Sequence, residues 1–157
     1  MCFFTFKTYF LTTRLFIMKY LVCLFLFVST FAQAQEKELA AIATTLNYYL
    51  DGGTNNDFET LKKAFHTDAT MKFINGKGEY NTVNAIKFFK KGMKPGPKQN
   101  RQTRITSIDV NGHAASARIE IDYPTFRFID YMSLLKIKGE WKIVNKIFYR
   151  ESRNVED

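Results

Sequence analysis

A run of strands closed by tight turns constrains this chain more than any other feature. Between Arg101 and Arg150 the sequence turns at Asn111-Gly112 and at Lys138-Gly139, and such pairs between alternating segments are strong hairpin signals. The strands are expected over Arg101–Val110, His113–Tyr123, Phe126–Lys138 and Glu140–Tyr149. In His113–Tyr123 the odd positions are mainly apolar and the even ones carry Ser116, Arg118, Glu120 and Asp122. One face of that strand should be buried and the other wet. Phe126–Lys138 is apolar at both parities and is expected to be a central strand covered on both sides. Strand parity puts Trp141, Ile143, Asn145 and Ile147 on one face of the last strand.

The helices come earlier. Leu39, Ile42, Ala43, Leu46, Tyr49 and Leu50 form one apolar stripe, so Glu36–Leu50 reads as an amphipathic helix ended by Asp51-Gly52-Gly53. Asn56 and Glu59 resemble a capping box before a second helix, Asp57–Phe65. A strand over Thr70–Asn75 and a turn at Asn75–Gly78 follow. Thr82 then caps a third helix running through Lys90. Pro95-Gly96-Pro97 reads as a mobile loop. Helices first and a meander last is an α+β plan.

Residues 1–34 stand apart. Met18–Gln35 has a positive end at Lys19, an apolar core and the small-x-small site Ala32-Gln33-Ala34, the parts of a secretory signal cleaved after Ala34. Met18 is an alternative start. The core is short for a membrane span, so a secreted or periplasmic protein with no stable anchor after cleavage is expected. Both cysteines, Cys2 and Cys23, fall in this leader, which excludes disulfide and thiol chemistry from the rest. The leader carries Lys7, Arg14 and Lys19 and no acid, so removing it lowers the formal charge from +8 to +5. That mild basicity is well short of a nucleic-acid signature. Residues 35–151 suit one domain, with a polar tail over 152–157.

The segments AFHTDA, SIDVNGHAASARIEIDYP and FRFIDYMSLLKIKGEWKIVNKIFYRE resemble the nuclear transport factor 2-like superfamily. More narrowly, they resemble its secreted bacterial group labelled "putative lumazine-binding". The resemblance implies a cone-shaped, curved antiparallel or mixed sheet wrapped around three helices (the cystatin-like arrangement), often as a homodimer packed through the outer sheet face. Relatives include ketosteroid isomerase, scytalone dehydratase and polyketide cyclases. The implied function is binding of a small apolar or aromatic molecule in a conical pocket. Alternatives are a cofactor-free isomerase, cyclase or dehydratase, or a non-catalytic dimeric interaction domain.

Asp130 shares a strand face with Phe128, Met132 and Leu134. A carboxylate there needs a cavity, a partner or a proton. It reads as a pocket acid with a raised pKa, as one member of an ion pair with Arg or Lys on a neighbouring strand, or as a carboxylate at the cone's rim. His66, in AFHTDA, is its candidate catalytic partner if the two come within reach; otherwise it is a histidine stabilised by a helix end. Tyr49, Tyr123, Asn145, Phe128, Met132 and Trp141 are candidate ligand-binding residues; core packing is the competing role for Tyr49 and Tyr123, and a hydrogen bond within the protein for Asn145. The two histidines, His66 and His113, are not spaced as metal ligands, no glycine-rich loop offers a phosphate cradle, and no cofactor is expected. The lysines from Lys87 to Lys98 read as a solvated face, with attraction of anions as the alternative.

Overall fold

The computed structural model describes residues 35–153, together with Met18 and Gln33. The leader's cleavage site at Ala34 and the end of the polar tail lie outside the described residues. The chain divides into two compact units, Met1–Glu38 and Leu39–Asp157. In the first, the described residues are helical. No helix among the described residues is long and apolar enough to cross a membrane.

In the second unit, α1 occupies residues 39–54, with Ile42, Leu46, Tyr49 and Leu50 buried along one stripe. It is followed by α2 (Phe58–Leu61) and a 3₁₀ turn (Lys62–Ala64), β1 (Phe65–Ile74), β2 (Tyr80–Asn84) and α3 (Ala85–Gly92). The strands β3 (Gln102–Asn111), β4 (Ala114–Asp122), β5 (Phe126–Ile137) and β6 (Glu140–Ser152) complete it. One six-stranded sheet runs β2-β1-β6-β5-β4-β3. The β1–β6 pair is parallel and the other pairs are antiparallel. Register shifts occur between Phe65 and Thr70, Ile105 and Ser107, and Ser133 and Leu134. Such bulges bend strands and sharpen twist, so the sheet curves. Its concave face joins the α1 stripe in a core that includes Met71, Ile119, Ile121, Met132, Leu134 and Ile143.

Several local expectations are corrected. The helix does not stop at Gly52-Gly53; it continues to residue 54, and Asn56, with φ 55°, takes the left-handed position beyond it. The glycines serve close approach instead. A Cβ on Gly52 would lie 2.4 Å from the Leu61 amide nitrogen and 2.8 Å from the Asp57 carbonyl oxygen. Gly53 leaves room for the Arg101 guanidinium, whose Nη2 would be 2.4 Å from such a Cβ. Asp57, not Asn56, caps α2, accepting from the Thr60 amide at 3.1 Å. The second helix is a short α-turn followed by a 3₁₀ turn, and β1 begins at Phe65. The third helix is capped by Asn84 (Lys87 N–H to Oδ1, 2.9 Å), because Tyr80–Asn84 pairs with β1 as a strand.

The Pro95-Gly96-Pro97 loop is tied down. Asn56 Nδ2 donates to the Pro97 carbonyl at 2.6 Å, and the Gln99 amide donates to Thr54 O at 2.8 Å. The outer face of β5 is uncovered, with Tyr131 and Leu135 exposed. On β4, Glu120 is buried despite its outward parity, because Arg104, Arg118 and Arg127 close over it. Burial raises its pKa, but hydrogen bonds from Arg118 and Arg104 outweigh that and hold the carboxyl below its usual range.

Gly52→Ala separates the two roles of that glycine. Alanine in a helix interior ordinarily gains about 0.5–1 kcal/mol over glycine. Here the forced shift of the α1–α2 approach is expected to cost about 1–3 kcal/mol instead. Chemical denaturation measures it, and an unchanged or raised midpoint would return Gly52 to the role of helix terminator.

Candidate functional site

A cavity of about 630 Å³ opens between α1, α3, the segment before β3 and the concave sheet face. Its walls are aromatic: Tyr49, Phe88, Phe89, Tyr123, Phe128 and Phe148. The rings brace one another. Tyr49 and Phe89 are 5.8 Å apart between centroids, and Phe128 and Phe148 meet edge-to-face at 5.6 Å, a geometry favoured by the ring quadrupoles.

The floor is polar, and a bulge makes it so. Ser133 pairs with Asn145, while Leu134 pairs with Ile143. Val144 is therefore the extra residue, and the parity of β6 reverses across it. Trp141 and Ile143 point inward before the bulge; Lys146 and Phe148 do so after it. Lys146 is 4% exposed and forms an ion pair with Asp130, which is fully buried. The Tyr49 hydroxyl donates to the other carboxylate oxygen, Asp130 Oδ2, at 2.8 Å. Among the described residues no other group donates a hydrogen bond to Asp130 Oδ1, and the Lys146 ammonium is its partner. The ammonium also lies 4.7 Å from the centroid of Phe148 and 5.3 Å from that of Tyr49, within cation–π range.

Burial pushes the Lys146 pKa down, against the raising effect of Asp130. Burial, then the Asp130 charge and hydrogen bond, push the Tyr49 phenol well above its usual value. Tyr49 is thus a neutral donor at any physiological pH.

A second cation sits on the wall. Arg101 Nε donates to Thr54 Oγ1, Nη1 to the Tyr123 hydroxyl and Nη2 to the Leu50 carbonyl, each at 2.9 Å. These acceptors are neutral, so they orient the guanidinium without cancelling its charge. Lys94 and Lys98 stand at the rim. Among the described residues lining the cavity there are four cations and no carboxylate; Asp130 lies behind Lys146 and Tyr49.

The structure brings Tyr49, Tyr123 and Phe128 onto the cavity wall. Met132 and Trp141 are packed in the core and do not line the cavity. Asn145 faces outward, where it accepts from Thr70 Oγ1 at 2.9 Å and borders a depression of about 240 Å³. The expected common face of Trp141, Ile143, Asn145 and Ile147 is thus corrected by the bulge. Asp130 is the paired carboxylate of those readings, neither an acid lining the hollow nor one at the rim. His66 is not joined to it: the His66 Nδ1 accepts from the Asp68 amide at 3.2 Å, whereas Asp130 contacts Tyr49 and Lys146.

Sequence reasoning missed Lys146 and Arg101. Lys146 carried no signal, because its inward direction depends on the bulge. Arg101 had one faint signal, an isolated arginine following a Pro-Gly-Pro loop and opposite a glycine pair. No cluster of His, Cys, Asp and Glu able to hold a metal occurs among the described residues.

The profile of the family described as "Putative lumazine-binding" matches residues 37–149. An NTF2-like protein of unknown function from Shewanella baltica OS155 is 32% identical, with a TM-score of 0.66 over 73% of this chain and 94% of the other. Another from Methylobacillus flagellatus KT is 35% identical, with a TM-score of 0.65 over 73% and 93%. Aldolase FrzH of a Cladobotryum species is 21% identical over 117 residues, 74% of this chain and 94% of that one.

Removing one member of the buried pair should be far worse than removing both. Lys146→Ala leaves the fully buried Asp130 carboxylate without its counter-cation and is expected to cost about 3–5 kcal/mol. The double replacement Lys146→Met with Asp130→Leu should recover most of that loss. A double-mutant cycle by urea denaturation measures the coupling, and additive single effects would deny the pair its structural role.

Proposed function

The chain belongs to the family described as "Putative lumazine-binding", within the NTF2-like superfamily, and from that premise we propose that its cavity binds a flat aromatic organic anion. The observation that carries this is the lining: aromatic walls with four cations and no carboxylate. A volume near 630 Å³ suits a small organic molecule. Aromatic side chains supply flat contact area, and the uncancelled charges of Arg101, Lys94 and Lys98 select for a negative group. Lumazine, named in the family's description, is a flat conjugated heterocycle, which suits the aromatic walls.

A cofactor-free catalyst acting on a carbonyl compound is the second reading. What favours it is the polar floor, where Tyr49 and Asp130 are hydrogen-bonded at 2.8 Å beside Lys146. The aldolase name of the Cladobotryum relative points the same way. In this reading Tyr49 and Lys146, not His66, are the partners of Asp130.

The composition of the leader supports export to the periplasm or the medium. Self-association as a homodimer is supported by the outer sheet face. Tyr131 and Ile147 stand opposite each other on β5 and β6, and they are exposed together with Leu135 and Tyr149. Sedimentation equilibrium tests this, with a monomer at all concentrations as the contrary result.

The ligand class is tested with two probes, 2-naphthoate and its neutral isostere 2-naphthamide. Calorimetric titration is expected to show 2-naphthoate binding about tenfold or more tightly than the amide at low salt. That advantage should shrink at about 1 M salt, where the screening length falls to about 3 Å. Arg101→Leu should remove most of the preference while leaving amide binding in place. Equal affinity for the acid and the amide would overturn the anionic reading.

A further inference from the structure

We propose that Lys146 is a nucleophilic amine that condenses with the carbonyl group of a ligand seated in the cavity, with Asp130 and Tyr49 managing the protons. The inference rests on the small-molecule reading of the cavity and adds the reactive class of the ligand, an aldehyde or ketone carried on an aromatic acid.

Position is the first argument. A lysine paired with an aspartate in solid core would be a structural device, but Lys146 lies at the bottom of an open cavity and borders it, while Asp130 does not. A ligand therefore meets the amine first. Environment is the second. At 4% exposure the ammonium has lost its water, and burial lowers its pKa, so the proton is held less firmly than on a surface lysine. Asp130 is in direct contact to receive that proton, which is how a buried ion pair exchanges to a neutral amine and a neutral acid.

The product is the third. Condensation leaves one positive charge on the same nitrogen. The groups that hold the ammonium, the Asp130 carboxylate and the faces of Phe148 and Tyr49 at 4.7 and 5.3 Å, are placed to hold an iminium as well.

The step balances without a further reagent. Asp130 takes a proton from Lys146. The amine lone pair forms a C–N bond to the carbonyl carbon, and the carbonyl π pair moves to oxygen, which takes the proton from Asp130, directly or relayed through the Tyr49 hydroxyl bonded to it. The new ammonium returns a proton to the same pair of groups. The hydroxyl takes that proton back from Asp130 and leaves as water while the nitrogen pair closes the C=N bond. Lysine ammonium and carbonyl become iminium and water, with charge conserved and Asp130 again ionised.

The groups that face the Lys146 amine are Asp130 from β5, Tyr49 from α1 and Arg101 from the segment before β3. Because only the neutral amine attacks, the reaction should speed up as pH rises and level off at a midpoint below the free-lysine value of about 10.4.

The test uses the full chain with 4-carboxybenzaldehyde as probe and sodium cyanoborohydride to reduce any imine in place. Peptide mapping of the wild type is expected to place one 4-carboxybenzyl group per chain on Lys146, about tenfold or more faster than on Lys94 or Lys98 at neutral pH. Lys146→Arg keeps a cation beside Asp130 but has no nucleophilic amine. It should therefore lose the adduct. The proposal is overturned if 4-methylbenzoate, which cannot condense, binds the wild type but Lys146 stays unmodified, or is modified no faster than the rim lysines. In that event the binding reading survives alone. If 4-methylbenzoate itself fails to bind, both readings fall together.

Discussion

A buried carboxylate and a buried ammonium in contact organise this molecule. Taking either charge out of water alone is costly, and in an apolar core the cost is several kcal/mol per ion even after relaxation. Asp130 on β5 and Lys146 on β6 offset each other across adjacent strands, and Tyr49 on α1 closes the group by donating to the carboxylate. That phenol joins the helix to the sheet by something more directional than apolar contact, as does the Thr45 hydroxyl, which donates to the Trp141 carbonyl at 3.1 Å. A hydrophobic pair of similar volume would hold the strands as well, since buried ion pairs add little net stability. What the ionic version supplies is a polar, proton-bearing floor under an aromatic cavity.

That floor exists because one strand carries one extra residue. Without the bulge at Val144, β6 would keep its parity from Trp141 onward and send Asn145 and Ile147 inward. Lys146 would face solvent, and Asp130 would lose its partner. The bulge also contributes to the bend that lets the sheet curve around α1. Gly52 acts in a similar way at the other end of the site. Its missing side chain allows the Leu61 backbone to approach α1, while Gly53 leaves space for the Arg101 guanidinium that flanks the cavity.

The charge of the cavity has a distributed origin. Lys94 and Lys98 come from the loop after α3, Arg101 from the segment before β3, and Lys146 from the far end of the chain. The loop is held in place by Asn56 and Thr54 at the end of α1, so the rim cations belong to an anchored segment. Elsewhere, on the outer sheet face, the cations are compensated. Arg104, Arg118 and Arg127 surround Glu120 there. The cavity, by contrast, has no carboxylate among the described residues of its lining.

Patterns that repeat along the chain are legible without coordinates. The stripe of α1, the alternation of β4, the even-numbered inward face of β5 around Asp130 and the turns at Gly112 and Gly139 all follow from local periodicity and glycine chemistry. The resemblance in the last third identified the superfamily, and with it the curved sheet and the helices it encloses. Tertiary structure alone decided which way the second half of β6 faces, that Asp130 is paired and covered instead of open to the hollow, and that Lys146 and Arg101, not His66 and Asn145, stand at the cavity. The physical reason is common to all three. A bulge and a close backbone approach are set by how neighbouring strands and helices fit, and a one-residue change in register reverses every side chain beyond it.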